Sequence, residues 1–136
     1  MNIRRIAAVV YAVLTAIVVA FQIALALGAP WGAYAMGGTF PGQFPPPLRV
    51  AAILQALILL LFAATILARA GLAFQRLARA SRWLAWLAVA FTSLSLLLNL
   101  ITPSAGERLI WVPVAFLLLV SALLVATAPP LPNPAA

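Results

Sequence analysis

Three side-chain amides, Gln22, Gln55 and Asn99, each sit inside a long apolar stretch, and one carboxylate, Glu107, stands beside Arg108 in a short polar segment. An amide brings a carbonyl acceptor and two N–H donors, and in hydrocarbon those groups must find partners on another helix or on a ligand. Arg49 adds a cation near the same end of the chain's apolar stretches, and the segment before it carries Trp31, Tyr34, Phe40 and Phe44. With Trp111 beyond Arg108, these residues could form a small site of amides and one acid under an aromatic lid. The candidate ligand-binding set is therefore Gln22, Gln55, Asn99, Arg49, Glu107, Arg108, Trp31, Tyr34 and Trp111. The favoured alternative makes each amide helix-to-helix glue, a contribution of about 0.6–2 kcal/mol, with Glu107 as a helix cap and a partner for Arg49 or Arg108.

Most catalytic schemes lack their parts. There is no cysteine and no histidine, which removes disulfides, thiolate chemistry, soft or imidazole metal ligands and every histidine acid–base scheme. One acid cannot make a carboxylate pair, a serine nucleophile has no base, and no phosphate-cradling glycine motif is present. No catalytic residue, metal ligand or cofactor is expected, and the chain is not read as an enzyme.

The elements that must carry these residues follow from composition. The 136 residues are 67% hydrophobic and 7% charged, against about 45–50% and about 25% in soluble domains. Four stretches, 6–28, 50–68, 84–101 and 109–128, approach the ~20 apolar residues that a helix needs to cross a bilayer core. None contains an acid or a lysine. The expected fold is all-α: a single polytopic membrane domain over 1–136, an antiparallel bundle of four transmembrane helices. An outer loop (29–49), an inner loop (69–83), a tight turn (102–108) and a non-helical tail (129–136) complete it.

The net charge of +7 would suit nucleic acid if position were ignored, but position assigns it to topology, and no nucleic-acid partner is expected. Arg4, Arg5, Arg69, Arg76, Arg79 and Arg82 share one end of an up-down-up-down bundle, leaving Arg49 and Arg108 at the other. The positive-inside rule then places both termini in the cytoplasm, for a multi-pass protein of the inner cell membrane. Rich Ala, Arg, Pro and Gly usage without lysine points to a GC-rich bacterial genome. The first apolar run exceeds the 7–15 residues of a signal peptide's core and is read as a retained helix.

Local signals mark the ends of the spans. Ala70-Gly71 stops the second span, Pro103 stops the third, and Ser104-Ala105-Gly106-Glu107 reads as a capping box for the fourth. Trp31, Tyr34 and Trp111 form an outer aromatic belt, Trp83 and Trp86 an inner one. Small or polar residues recur along the third span at Ser81, Ala85, Ala88, Thr92, Ser95, Asn99 and Thr102, a seam expected to face the bundle interior. A similar stripe on the first span, Ala8, Tyr11, Thr15, Val18 and Gln22, suggests that the two pack together. By helical rise the three amides all fall in the outer half, within about two turns of its interface.

The segments WGAYAMGGTFPGQFPPPLR and NLITPSAGERLIWVP resemble a pattern found in small uncharacterised four-helix membrane proteins of bacteria. That resemblance covers the outward third of the chain and implies a fold and a location, without an activity. Small multidrug transporters have a similar size and helix count, yet their first helix carries a membrane-embedded glutamate where this one offers only Thr15 and Gln22. Three functional readings follow. The first is a non-catalytic membrane protein acting through helix or loop contacts with itself, as a homo-oligomer, or with a larger membrane assembly. The second is a binder or carrier of a lipid-like or small amphipathic ligand in an outward-facing polar pocket. A small transporter ranks third, because no charge stands at mid-membrane depth. The lipid bilayer is the one partner common to all three.

Overall fold

A computed structural model describes residues 1–132 and is all-helical, with no strand among them. Four α-helices, α1 (Ile3–Ala26), α2 (Pro46–Arg69), α3 (Ser81–Ile101) and α4 (Ala105–Ala126), run antiparallel, and each is long and apolar enough to cross a membrane. The expected four-span bundle is thus the observed architecture. Large apolar side chains such as Val13, Ile17, Leu57, Leu61, Leu97 and Phe116 cover its outside, a surface suited to lipid rather than water. Residues 133–136 of the expected non-helical tail lie outside the described residues.

Helix ends follow from local chemistry. Asn2 caps α1, its side chain accepting the Arg5 backbone N–H at 3.0 Å, so the helix takes in Arg4 and Arg5 ahead of the apolar run. α2 likewise starts before its apolar stretch, with Pro46 and Pro47 at the first two helical positions. Proline suits those positions, because its fixed φ is helical and its missing N–H has no intrahelical acceptor there. Arg49 consequently belongs to the first turn of α2 rather than to the loop. Ala70 caps the far end of α2, and Thr102-Pro103 ends α3.

α1 packs along α2 and α4, α3 packs along α4, and the α2–α3 interface is the thinnest of the sequential ones. α1 and α3 stand on the long diagonal of the bundle, so their two polar stripes do not meet as the sequence suggested. The α1 stripe is buried at Ala8, Tyr11, Thr15 and Gln22, with Val19 more enclosed than Val18. Its neighbours are α2 and α4. The main core fills the half of the bundle at the arginine-rich end, where Ala7, Ala8, Ala85, Ala88, Ala122 and Ala126 bring the backbones close. Phe62, Ile66, Leu118 and Val125 interlock among them.

Candidate functional site

The other half of the bundle is open. A cavity of about 860 Å³ lies between the helices at the end carrying the long loop, hereafter the loop end, and all four helices line it. Its size falls within the roughly 300–1,000 Å³ usual for small-molecule pockets. Gln22 from α1, Gln55 from α2 and Asn99 from α3 all face it. These amides come together around a void, and they do not bond to one another. Neither Gln22 nor Gln55 makes a side-chain hydrogen bond among the described residues, and Asn99 bonds only to Ser95 of its own helix, to the carbonyl at 2.8 Å and the hydroxyl at 3.4 Å. The helix-to-helix glue expected of the amides is therefore not their geometry here. Gln22 is only 9% exposed, which leaves a deeply placed amide with its hydrogen-bonding groups turned toward the void.

The void opens where α3 leaves its neighbours. Ser81, Ala85, Ala88 and Thr92 are buried as the seam predicted, whereas Ser95 and Asn99, one and two turns farther on, are half-exposed and line the cavity. Across from them Ala51, Leu54 and Ile58 of α2 are both exposed and cavity-lining, as are Leu94 and Leu98 of α3. Residues that belong to both surfaces mark a lateral mouth between α2 and α3. Gln55, exposed, stands at that mouth. The floor is aromatic, with Phe91 packed on Phe62 at a ring-centroid distance of 5.3 Å.

The loop forms the roof, and its attachment explains the only acid. Two 3₁₀ turns, Gly32–Tyr34 and Met36–Gly38, fold the segment over the bundle, and Phe44 plugs in beside Leu25 and Ala52. One oxygen of Glu107 accepts both the Gly37 backbone N–H and the Thr102 hydroxyl, each at 2.9 Å. Gly37 has φ +71°, a left-handed conformation that glycine adopts without a Cβ penalty. Ser104 caps α4 as expected, accepting the Glu107 N–H at 3.2 Å, while its hydroxyl donates to the Ala33 carbonyl at 2.9 Å. The Trp111 indole N–H donates to the Tyr34 carbonyl at 2.9 Å. Glu107 thus holds the loop instead of closing the reciprocal half of a capping box. Nor is an arginine its partner: Arg108 donates to the Thr102 carbonyl, and Arg49 donates through Nε to the Phe44 carbonyl at 2.7 Å.

Of the nine residues singled out from sequence, Gln22, Gln55, Asn99, Tyr34, Glu107 and Trp111 line the cavity. Arg49 and Arg108 do not line it and instead stiffen the backbone around it. Trp31 faces a separate, shallow apolar groove between α1 and α4, where it stacks on Phe21. Sequence reasoning missed Thr92, Ser95 and Phe91 as lining residues, whereas Phe44 of the expected aromatic lid does line the cavity. The signal for the first two was present, since they continue the seam of the third span, but a seam does not announce whether a helix or a space lies opposite it.

Amides, hydroxyls and one carboxylate oxygen above an apolar floor make a set of hydrogen-bonding partners for a molecule with one polar end and one greasy end. No protein-family model matches this chain, and neither a curated protein nor a solved structure does.

Proposed function

We propose that this protein binds a lipid-like or small amphipathic molecule in the loop-end cavity, and that it does so as a multi-pass protein of a bacterial inner membrane with both termini in the cytoplasm. The observation that carries the reading is the convergence of Gln22, Gln55 and Asn99, without partners on one another's helices, on a space of about 860 Å³ with a lateral mouth. An amide left unpaired in an apolar setting costs on the order of 1–3 kcal/mol. A ligand whose polar group meets these amides removes that cost, while its apolar part fills the gap between α2 and α3. Entry is sideways, from the bilayer, because the roof is tied to α4 by Glu107, Ser104 and Trp111.

The experiment is photolabelling of the membrane-embedded protein with a diazirine-bearing monoacylglycerol. Label is expected on α2 and α3 peptides containing Gln55 and Asn99, and competed by unlabelled monoacylglycerol. Label spread evenly over all lipid-facing helix surfaces, unaffected by competitor, would falsify the reading. For orientation, a cytoplasm-only reporter fused to either terminus should be active, and activity at just one terminus refutes the assigned topology.

A second reading, contact with another copy or a larger membrane assembly, draws support from the α1/α4 groove. Phe21, Trp31, Tyr34 and Trp111 gather there on an apolar surface. Cysteines placed at Ile17 and Ile110, both lining that groove, should then crosslink between copies or to a partner in native membranes. Exclusively monomeric products would remove this reading and leave the first untouched.

A further inference from the structure

Among the residues that line the loop-end cavity, Glu107 alone carries a charged side chain. It is 9% exposed. Its Oε2 takes both the Gly37 N–H and the Thr102 hydroxyl, and its Oε1 accepts no hydrogen bond among the described residues. Both donors are neutral, so they satisfy one oxygen and leave the negative charge in place. The chain's eight cationic side chains are all arginines of the described residues, and six of them stand at the opposite end of the bundle. The two at this end, Arg108 and Arg49, donate to the Thr102 and Phe44 carbonyls and do not line the cavity.

The neutral polar groups around the void have spent their donors and kept their acceptors. Asn99 gives its amide N–H groups to the Ser95 carbonyl and hydroxyl. A carbonyl can only accept, so the amide nitrogen must face it and Asn99 Oδ1 is left over. The Thr92 hydroxyl donates to the Ala88 and Val89 carbonyls at 2.9 and 3.1 Å, and the Trp111 indole N–H to the Tyr34 carbonyl. Asn99 precedes Thr102 by about one turn, ~4.5 Å of helical rise, and the Thr102 hydroxyl touches Glu107. Oδ1 and the carboxylate therefore share the end of the cavity beneath the roof. Gln22, 9% exposed and without a side-chain partner among the described residues, faces the same space from α1. Enclosed acceptors beside an unpaired negative charge favour a ligand that brings N–H donors and a positive charge, since charge-assisted hydrogen bonds are roughly twice as strong as neutral ones.

Building on the reading of this cavity as an amphiphile site, we infer that the polar end of its ligand is a protonated primary amine. The ammonium sits on Glu107 Oε1, the Asn99 and Gln22 carbonyls are its further acceptors, and its apolar chain leaves through the mouth between α2 and α3. A monoacylglycerol offers hydroxyl donors to the same acceptors without the charge, and is the weaker occupant.

The test adds two competitors of equal chain length, dodecylamine and monododecanoylglycerol, to the photolabelling of the membrane-embedded protein by the diazirine monoacylglycerol. They are compared by their bilayer mole fraction in phosphatidylcholine vesicles at about pH 7, where a primary amine is protonated. Dodecylamine is expected to halve the label on α2 and α3 at about one tenth the mole fraction that monododecanoylglycerol needs, the effect of one charge-assisted hydrogen bond. Glu107→Gln, which keeps an acceptor for the roof, should erase that preference. Asn99→Leu, at a half-exposed position, removes a neutral acceptor and should reduce the preference about threefold; it decides the matter if Glu107→Gln fails to fold, and an unchanged preference there counts against the amine. Equal displacement by the two competitors in the wild type overturns the amine and leaves the amphiphile site standing, as does a preference that survives Glu107→Gln. Label that neither competitor displaces overturns both.

Discussion

The two halves of the bundle are built from the same four helices and are almost equally apolar, yet one is packed and the other hollow. At the arginine end, alanines at Ala7, Ala8, Ala85, Ala88 and Ala122 let the helix backbones approach until Phe62, Ile66 and Val125 fill what remains. Toward the loop end the small residues of α3 continue as Ser95 and Asn99, but the facing positions of α2 turn outward and the gap is left to the amides. Hydrophobicity does not distinguish these halves, because lipid tails are as apolar as the side chains. Close fit and polar contacts do. A polar side chain's bond to its own helix does not by itself decide which happens: Thr92, donating to the Ala88 carbonyl at 2.9 Å, is enclosed by its neighbours, whereas Asn99, donating to the Ser95 carbonyl at 2.8 Å, stands half-exposed at the void.

The largest test of that contrast is the tie holding the hollow half shut. Glu107→Ala leaves the Gly37 N–H and the Thr102 hydroxyl without their acceptor and should cost about 3 kcal/mol. The loss should appear as unfolding at lower sodium dodecyl sulfate fraction and as new protease cleavage within 32–44. Glu107→Gln keeps an acceptor oxygen and should recover most of the stability; equal loss from both variants would mean that charge, not the hydrogen bonds, secures the roof.

Overpacking separates the halves next. Ala88, fully buried, should tolerate leucine poorly, with Ala88→Leu destabilising by about 1–3 kcal/mol. The same test at the hollow end should give the opposite result. Ser95→Leu, facing the cavity, should stay within about 0.5 kcal/mol of the wild type while reducing photolabelling by the monoacylglycerol probe. If Ser95→Leu proves as costly as Ala88→Leu, the loop-end half is packed in solution and the contrast fails. A smaller effect belongs to the cap. Ser104→Ala should lose about 1 kcal/mol, and more than an alanine at Ser93, which bonds only to its own helix at 2.8 Å, measured by the same unfolding curves.

Close approach inside the roof gives a structural control. A Cβ on Gly32 would lie 1.8 Å from the Phe40 carbonyl oxygen, so Gly32→Ala must rearrange the loop backbone. Its effect should be confined to the loop end, leaving unfolding of an Ala88→Leu background no worse than additive.

Much of this architecture was legible from residues read one after another. Span number follows from four acid-free apolar runs, and the Ser104 cap follows from its spacing to Glu107. The start of α2 was misjudged, because hydropathy sees Pro46 and Pro47 as loop residues although their fixed φ suits a first turn. The partner of Glu107 was misjudged for a different reason. Arg108 is its neighbour in sequence, but the donors that reach it come from Gly37, folded back across the bundle, and from Thr102 at the end of α3. The amides were placed at one end correctly by helical rise alone, while their role could not be, since rise gives depth and says nothing about what stands opposite.

Depth, length, charge bias and capping are properties of single segments, and the amino-acid sequence determined them here because each depends on residues within a turn or two of one another. Which helices touch, which way α3 faces beyond Thr92, and whether Gln22 meets a partner or a space depend on the rotation and separation of helices distant in the chain. The tertiary structure decided these, because close packing is a sum over pairs of surfaces, and one small residue in place of a large one on either surface is enough to turn an interface into a cavity.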